Sequence, residues 1–61
     1  MYTNAPNFDT AVYHIAGHLR TTYDTVRNMI DKRRNRNDFC LNGHEVIFIK
    51  DRNGFHFAVE G

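Results

Sequence analysis

Most of the positive charge of this 61-residue chain lies in one segment, residues 20–36. This segment holds six of the eight Lys and Arg residues against two Asp residues, although the net charge of the whole chain is only +1. Residues 37–61 hold the other two Lys and Arg residues against four Asp and Glu residues. Guanidinium and ammonium groups concentrated in one segment of a near-neutral chain indicate binding to phosphates or to another acidic surface.

Four further side chains have the chemistry of metal ligands. His14 and His18 are four residues apart on a predicted helix, and Cys40 and His44 are separated by the same interval across a predicted turn. Together they could form a Cys-His₃ zinc site, but structural zinc sites more often contain at least two cysteines. The sequence therefore favours no metal or cofactor, with the two histidines on the solvent side of the helix and Cys40 as a small buried residue.

No residues form a recognisable catalytic arrangement. Cys40 and His44 could act as a nucleophile and a base, but no third group orients them, and a chain this short has little room for a pocket. We therefore expect a single domain, residues 1–61, that is not an enzyme. No apolar run approaches the roughly 18 residues of a membrane span, and no signal segment is evident, so a cytoplasmic location is expected.

A first helix is predicted over about residues 10–19. Its apolar residues are spaced i, i+3, i+4 and i+7, which places them on one face: Val12, Ile15, Ala16 and Leu19. We expect Asp9 to cap the start of the helix and Phe8 to pack against Tyr13 as a hydrophobic staple.

A second helix is predicted over about residues 22–34. Thr22 is a favourable N-cap, Asp24 suits the positive end of the helix dipole, and the following asparagines favour termination. The expected apolar face is Val26, Met29 and Ile30.

The rest of the chain predicts three antiparallel strands. Asn42-Gly43 is a strong signal for a type I′ hairpin turn between a short strand at 39–41 and a strand at 44–50. The second of these strands is apolar on both sides, which predicts a central position with both faces covered. Residues 51–54 form a second turn before a half-buried strand at 55–60, and residues 1–8 are predicted to be irregular. The predicted fold is thus α+β, with two N-terminal helices followed by a three-stranded antiparallel meander.

Residues 15–30 resemble the helix-turn-helix motif of bacterial and phage regulators. The motif positions that match without a gap are Ile15, Ala16, Leu19, Thr22, Thr25, Val26 and Ile30. The order of two helices and a β-hairpin is similar to the minimal winged-helix domains of phage excisionases and mercury-resistance-type regulators. In this chain Arg20 replaces the family's turn glycine and Thr21 its apolar turn residue, and a positive φ at Arg20 would cost roughly 1 kcal/mol.

The resemblance implies a phage or prophage-type transcriptional regulator or excisionase-like factor that binds duplex DNA. Its recognition helix would enter the major groove and the β-hairpin would serve as a wing. The base-reading residues implied are Tyr23, Asp24, Arg27 and Asn28. The phosphate-binding residues implied are Thr22, Lys32, Arg33, Arg34 and Arg36, with Lys50 and Arg52 near the tip of the wing. A homodimer would enlarge both the core and the DNA contact.

Two other functions are compatible with the sequence. The protein could be a phage-encoded inhibitor or antirepressor that binds a host protein, with its basic segment on an acidic surface and residues 55–60 as an edge strand for a partner or a second copy. Alternatively, Phe48, Phe55 and Phe57 could stack on the bases of RNA if the sheet exposes them.

Overall fold

Two helices cover one face of a four-stranded antiparallel sheet in the computed structural model, which describes residues 1–61. The elements in chain order are β1 (Tyr2–Ala5), α1 (Phe8–Leu19), α2 (Tyr23–Met29), β2 (Arg36–Leu41), β3 (His44–Asp51) and β4 (Gly54–Glu60). The strands lie in the order β1-β4-β3-β2. The predicted α+β class is confirmed. The count of three strands is wrong, and the helices follow a strand rather than beginning the fold.

β1 lies in the segment for which the sequence predicts irregular structure. It pairs with β4 in the register Tyr2 to Ala58, and the ladder extends to the Val59 N–H, which donates to the Met1 carbonyl at 2.7 Å. Only two of its side chains, Thr3 and Ala5, point toward the helices, so it lacks the alternating apolar pattern by which strands are recognised.

Both predicted turns connect neighbouring strands. Asn42 and Gly43 have φ values of 52° and 80°, as the predicted type I′ turn requires. Gly54 has φ 120° in the second turn, where a Cβ would lie 2.9 Å from the Ala5 carbonyl oxygen. The strand predicted at 55–60 lies between β1 and β3, so its prediction as an edge is wrong, and the edges of the sheet are β1 and β2.

The core lies between α1, α2 and the sheet. The predicted inner face of α1 is confirmed, because its four residues are at most 4% exposed. Val26 and Ile30 are also buried, but Met29 is 42% exposed, so its predicted place in the core is wrong. The twelve buried residues are Ala5, Ala11, Val12, Ile15, Ala16, Leu19, Val26, Ile30, Val46, Phe48, Phe57 and Val59.

α1 begins two residues earlier than predicted. Its N-cap is Asn7 rather than Asp9, because the Asn7 Oδ1 accepts from the Thr10 N–H at 2.8 Å. The predicted staple is also wrong. Phe8 packs edge-on against Phe48, with ring centroids 6.0 Å apart, and is therefore part of the contact between α1 and the sheet.

α2 ends at Met29, whereas the sequence predicts a helix to about residue 34. Ile30 has extended backbone angles that turn its side chain into the core, where it is 6% exposed. Beyond it, the Asn37 side chain bonds both backbone groups of Asp31, donating to its carbonyl at 3.1 Å and accepting from its N–H at 3.4 Å. Burial of Ile30 and these polar bonds outweigh the helix propensity of the basic residues that follow.

The sheet face opposite the helices carries no other layer, and we call it the open face. Side-chain alternation places these residues on it: Tyr2, Asn4, Arg36, Asp38, Cys40, Glu45, Ile47, Ile49, Asp51, His56, Ala58 and Glu60. Ile47 and Ile49 are only half-buried, while Val46 and Phe48 on the other side of β3 are buried. The prediction that both faces of this strand are covered is therefore wrong for this chain. Neither helix has the length and hydropathy required to cross a membrane.

Candidate nucleic-acid interface

The turn between the two helices has left-handed backbone geometry at Arg20. Its φ and ψ are 57° and 46°. The Arg20 N–H donates to the Gly17 carbonyl at 3.3 Å and the Thr21 N–H to the Ala16 carbonyl at 2.9 Å. These two bonds form a Schellman motif, which satisfies the last carbonyls of α1 and reverses the chain sharply. An arginine thus occupies the turn position at which glycine is favoured.

Thr22 begins α2 as the sequence predicts. Its Oγ1 accepts from the Thr25 N–H at 3.2 Å, and the two threonine hydroxyl groups lie 2.8 Å apart. The Thr22 hydroxyl is therefore already used in the N-cap. A contact to phosphate would have to share it with this bond.

Three of the predicted base-reading residues lie together on α2. Asp24, Arg27 and Asn28 are exposed, and their spacing of three and four residues places them on one side of the helix. None of the three side chains forms a hydrogen bond or an ion pair with the rest of the chain. The side of α2 that faces solvent is therefore both polar and unpartnered.

Tyr23 is placed differently from the other three. Its hydroxyl donates to the Asp9 carboxylate at 2.5 Å, and its ring lies 4.7 Å from that of Tyr13. The hydrogen bond to Asp9 stabilises the neutral phenol and raises the pKa of Tyr23 above its ordinary value. Tyr23 thus joins α2 to α1, and it would have to leave this contact to reach a base.

The basic residues that follow α2 lie beside the turn between β3 and β4. Lys50 joins the two segments: its N–H donates to the Asn35 carbonyl, and its Nζ donates to the Lys32 carbonyl, both at 2.8 Å. The Lys32 ammonium lies 4.5 Å from the centroid of the Phe8 ring. We call this region the basic end; its cations are Lys32, Arg33, Arg34, Lys50 and Arg52.

Most cations of the basic end are available to a ligand. Arg33 and Arg52 are exposed and form no side-chain bond, and Arg34 forms an exposed ion pair with Asp31 at 3.5 Å. Such an exposed pair contributes little, so a phosphate can replace the carboxylate. Arg36 does not belong to this group, because it lies on the open face with its Nε 3.3 Å from Asp38. The structure therefore separates it from the other predicted phosphate-binding residues.

Arg20 is an exposed cation of the basic segment that is not among the residues predicted to bind DNA. It lies in the left-handed turn immediately before α2, and no acidic group pairs with it. The sequence signal that could have identified Arg20 is its position, which corresponds to the turn glycine of the helix-turn-helix motif that residues 15–30 resemble.

The histidines and the cysteine do not come together as a metal site. No group of three or more His, Cys, Asp or Glu residues has a suitable arrangement. His14 packs near Phe57 and His18 near His44, whereas Cys40 is exposed on the open face and His44 lies on the helix side of the sheet. The expectation that Cys40 is buried is wrong. A depression of about 440 Å³ is lined in part by Cys40 and His44. The two side chains point to opposite faces of the sheet, so they cannot act together as a nucleophile and a base.

The aromatic residues considered for RNA binding do not face solvent. Phe48 and Phe57 are each 1% exposed under the helices, and Phe55 packs against Phe8 with ring centroids 5.9 Å apart. The residues on which that alternative depends therefore belong to the core side of the sheet, and the prediction that they could stack on bases is wrong.

Comparison with protein-family models, with curated proteins and with solved structures finds no match to this chain.

Proposed function

We propose that this protein binds duplex DNA, as a small phage or prophage-type regulator or excisionase-like factor without catalytic activity. The observation that carries the proposal is the turn at Arg20 and Thr22, which presents α2 with Asp24, Arg27 and Asn28 exposed and unpaired. A helix held in this way by a partner helix is the arrangement that enters the major groove in helix-turn-helix proteins. Such a role would place the protein with the DNA, in the cytoplasm of a bacterial host.

The base-reading part of the proposal rests on Arg27 and Asn28. An arginine can bond the O6 and N7 of guanine bidentately, and an asparagine can bond the N6 and N7 of adenine. With seven residues, α2 is about 10 Å long, slightly less than the roughly 12 Å width of the major groove. It can therefore read only a few base pairs, and Asp24 would disfavour approach to phosphates on its side of the helix.

The phosphate-binding part of the proposal rests on the basic end. Its cations lie on the segment that follows α2 and on the hairpin turn bonded to that segment. The loop and the β3–β4 hairpin, which acts as the wing, would thus hold phosphates together at one end of α2. Phosphate contacts fix orientation, and contacts to base edges specify sequence.

Fluorescence anisotropy with labelled duplexes of about ten base pairs, one helical turn, tests both parts on a single copy. Arg27→Ala should lower affinity for a selected site about 5- to 150-fold and leave random duplex little changed, because one bidentate contact is worth about 1–3 kcal/mol. Arg33→Ala should weaken all duplexes alike and reduce the salt slope by about 0.9. Arg36→Gln, on the opposite side of the sheet, is the matched control and should change neither.

The absence of duplex binding at low salt would refute the proposal. Loss of affinity in the Arg36 variant equal to that of Arg33→Ala would also oppose it, because charge alone and not its position would then matter.

The uncovered sheet favours a second candidate, a module that binds a host protein. Ile47, Ile49 and Ala58 are half-buried on the open face and would gain burial against a partner. An NMR titration with duplex DNA separates the two functions. Shifts confined to residues 20–34 and 50–53 support DNA binding, whereas shifts restricted to the open face, Arg36 included, support the protein-binding module.

A further inference from the structure

The outer edge of β2 has unpaired backbone groups. β2 pairs only with β3, and the Lys50 N–H donates to the Asn35 carbonyl at 2.8 Å at the start of this ladder. Because antiparallel hydrogen bonding alternates, residues 37, 39 and 41 direct their N–H and C=O groups toward β3. Those of Arg36, Asp38 and Cys40 therefore point outward, ready to pair with another strand.

β2 is the better of the two edges for such pairing. The other edge, β1, has four residues, and only Tyr2 and Asn4 direct backbone groups outward before Pro6. β2 has six residues and three outward positions. An added strand would therefore find a longer ladder at β2.

The charges on β2 favour a second copy as the occupant and favour one register over its neighbour. In an antiparallel pair of two β2 strands centred on Asn37, Arg36 of each copy lies directly opposite Asp38 of the other. A shift to the register centred on Asp38 places the two Asp38 carboxylates opposite each other. Charged residues on an edge strand usually discourage association. Here their alternating sign opposes the shifted register and favours the one centred on Asn37.

Arg36 and Asp38 remain accessible to charged groups of a second copy. The Arg36 and Asp38 side chains are 62% and 52% exposed, and they meet along the strand at 3.3 Å. A second copy would bring another carboxylate to each guanidinium on the same face of the sheet. Arg36 and Asp38 would also exchange both backbone hydrogen bonds, since they form the hydrogen-bonded pairs of this register.

We propose that two copies of this chain associate through β2 in an antiparallel pair centred on Asn37, which joins their sheets into one. The two-fold axis of such a pair is perpendicular to the sheet, so both helix layers lie on the same side. If the proposed DNA binding holds, the two α2 helices would then face one duplex together. The self-association does not depend on that function and is tested without DNA.

Sedimentation velocity over a concentration series measures the association of the wild-type protein and of charge-reversed variants. Arg36→Asp and Asp38→Arg should each weaken dimerisation by at least about fivefold, because each places like charges opposite each other at both ends of the pair. The double variant, Arg36→Asp with Asp38→Arg, restores opposite charges and should associate within about twofold of the wild type. A wild-type protein that stays monomeric to about 1 mM, single reversals without effect or a double variant that remains monomeric would overturn the proposal.

Disulfide cross-linking tests the register independently. In the Asn37→Cys, Cys40→Ser variant the two introduced thiols lie across the axis, in a pair with Cα atoms about 4.5 Å apart, which a disulfide can bridge. The wild type is the matched control, since its Cys40 residues would lie six strand positions apart, about 20 Å. Oxidation should link the variant and not the wild type. The reverse result, or equal linking of both, would overturn the register. If loss of the Asn37 bonds unfolds the variant, as circular dichroism would show, the charge-reversal series decides.

Discussion

Arg20→Gly should stabilise the fold and at the same time weaken binding to DNA. Arg20 closes the Schellman turn at φ 57°, a conformation in which its Cβ is crowded by the backbone. Its side chain is exposed and forms no ion pair, so its removal breaks no ion pair within the chain. Stability and binding should therefore change in opposite directions in one variant.

The magnitude follows from two opposing contributions. A non-glycine residue in the left-handed region costs roughly 1–2 kcal/mol, which glycine avoids. Glycine also lowers the free energy of unfolding by about 0.5–1 kcal/mol, because it has more conformational freedom in the unfolded chain. The net gain in free energy of unfolding is about 0.5–1 kcal/mol, or about 2–8 °C in Tm for a domain of this size.

Thermal and urea unfolding followed by circular dichroism measure this gain, with Arg20→Ala as the matched control. Alanine removes the same charge but keeps the Cβ, so it should give no stabilisation, while both variants should reduce the salt slope of DNA binding by about 0.9. Equal stability of the glycine and alanine variants would show that the turn is not strained at this residue.

Two further variants test the contacts that shape the site. Gly54→Ala should destabilise the fold by about 2 kcal/mol or more, because the new Cβ would lie 2.9 Å from the Ala5 carbonyl oxygen and the residue has φ 120°. The control is Gly43→Ala, whose Cβ would meet no atom within 4 Å and which should therefore cost only about 1 kcal/mol. Equal losses of stability in urea unfolding would contradict this difference. Tyr23→Phe removes the bond to Asp9 that raises the pKa of Tyr23. Since the folded state holds this proton more tightly than the unfolded state, the bond stabilises the wild type fully below pH 10.0, the unfolded pKa, and this stabilisation is lost as pH rises through the higher folded pKa. The Phe variant should therefore lose less stability than the wild type between pH 9 and 11, and identical alkaline profiles would refute the assignment.

Local patterns in the sequence predict the parts of the fold that depend on near neighbours. The spacing of the α1 apolar residues, the Thr22 cap and the Asn42-Gly43 turn each act within a few residues, and each is confirmed. β1 was not predictable in this way, because its partner strand begins about fifty residues later and its own side chains show no apolar alternation.

The end of α2 illustrates the same limit for the candidate site. A basic run is compatible with a helix, and only the burial of Ile30 and the bonds between Asn37 and Asp31 turn the chain away from it. This early end moves the cations of residues 32–34 from a helix surface to a loop beside the β3–β4 turn. It also places Arg36 on β2, on the open face. The sequence predicts the charge of the segment, but the direction of each cation depends on these long-range contacts.

The distribution of charge explains how a chain with a net charge of only +1 could bind an anionic duplex. Four of its seven acidic residues lie on the open face: Asp38, Glu45, Asp51 and Glu60. Arg36 is the one Lys or Arg residue on that face, and it is already paired with Asp38. The unpaired guanidinium groups lie at the helix turn, on α2 and at the basic end. A phosphate backbone should therefore be repelled by the open face and attracted to the opposite side, so that charge would orient the protein before contact. The same separation would leave the β2 edge free for a second copy if α2 faces DNA.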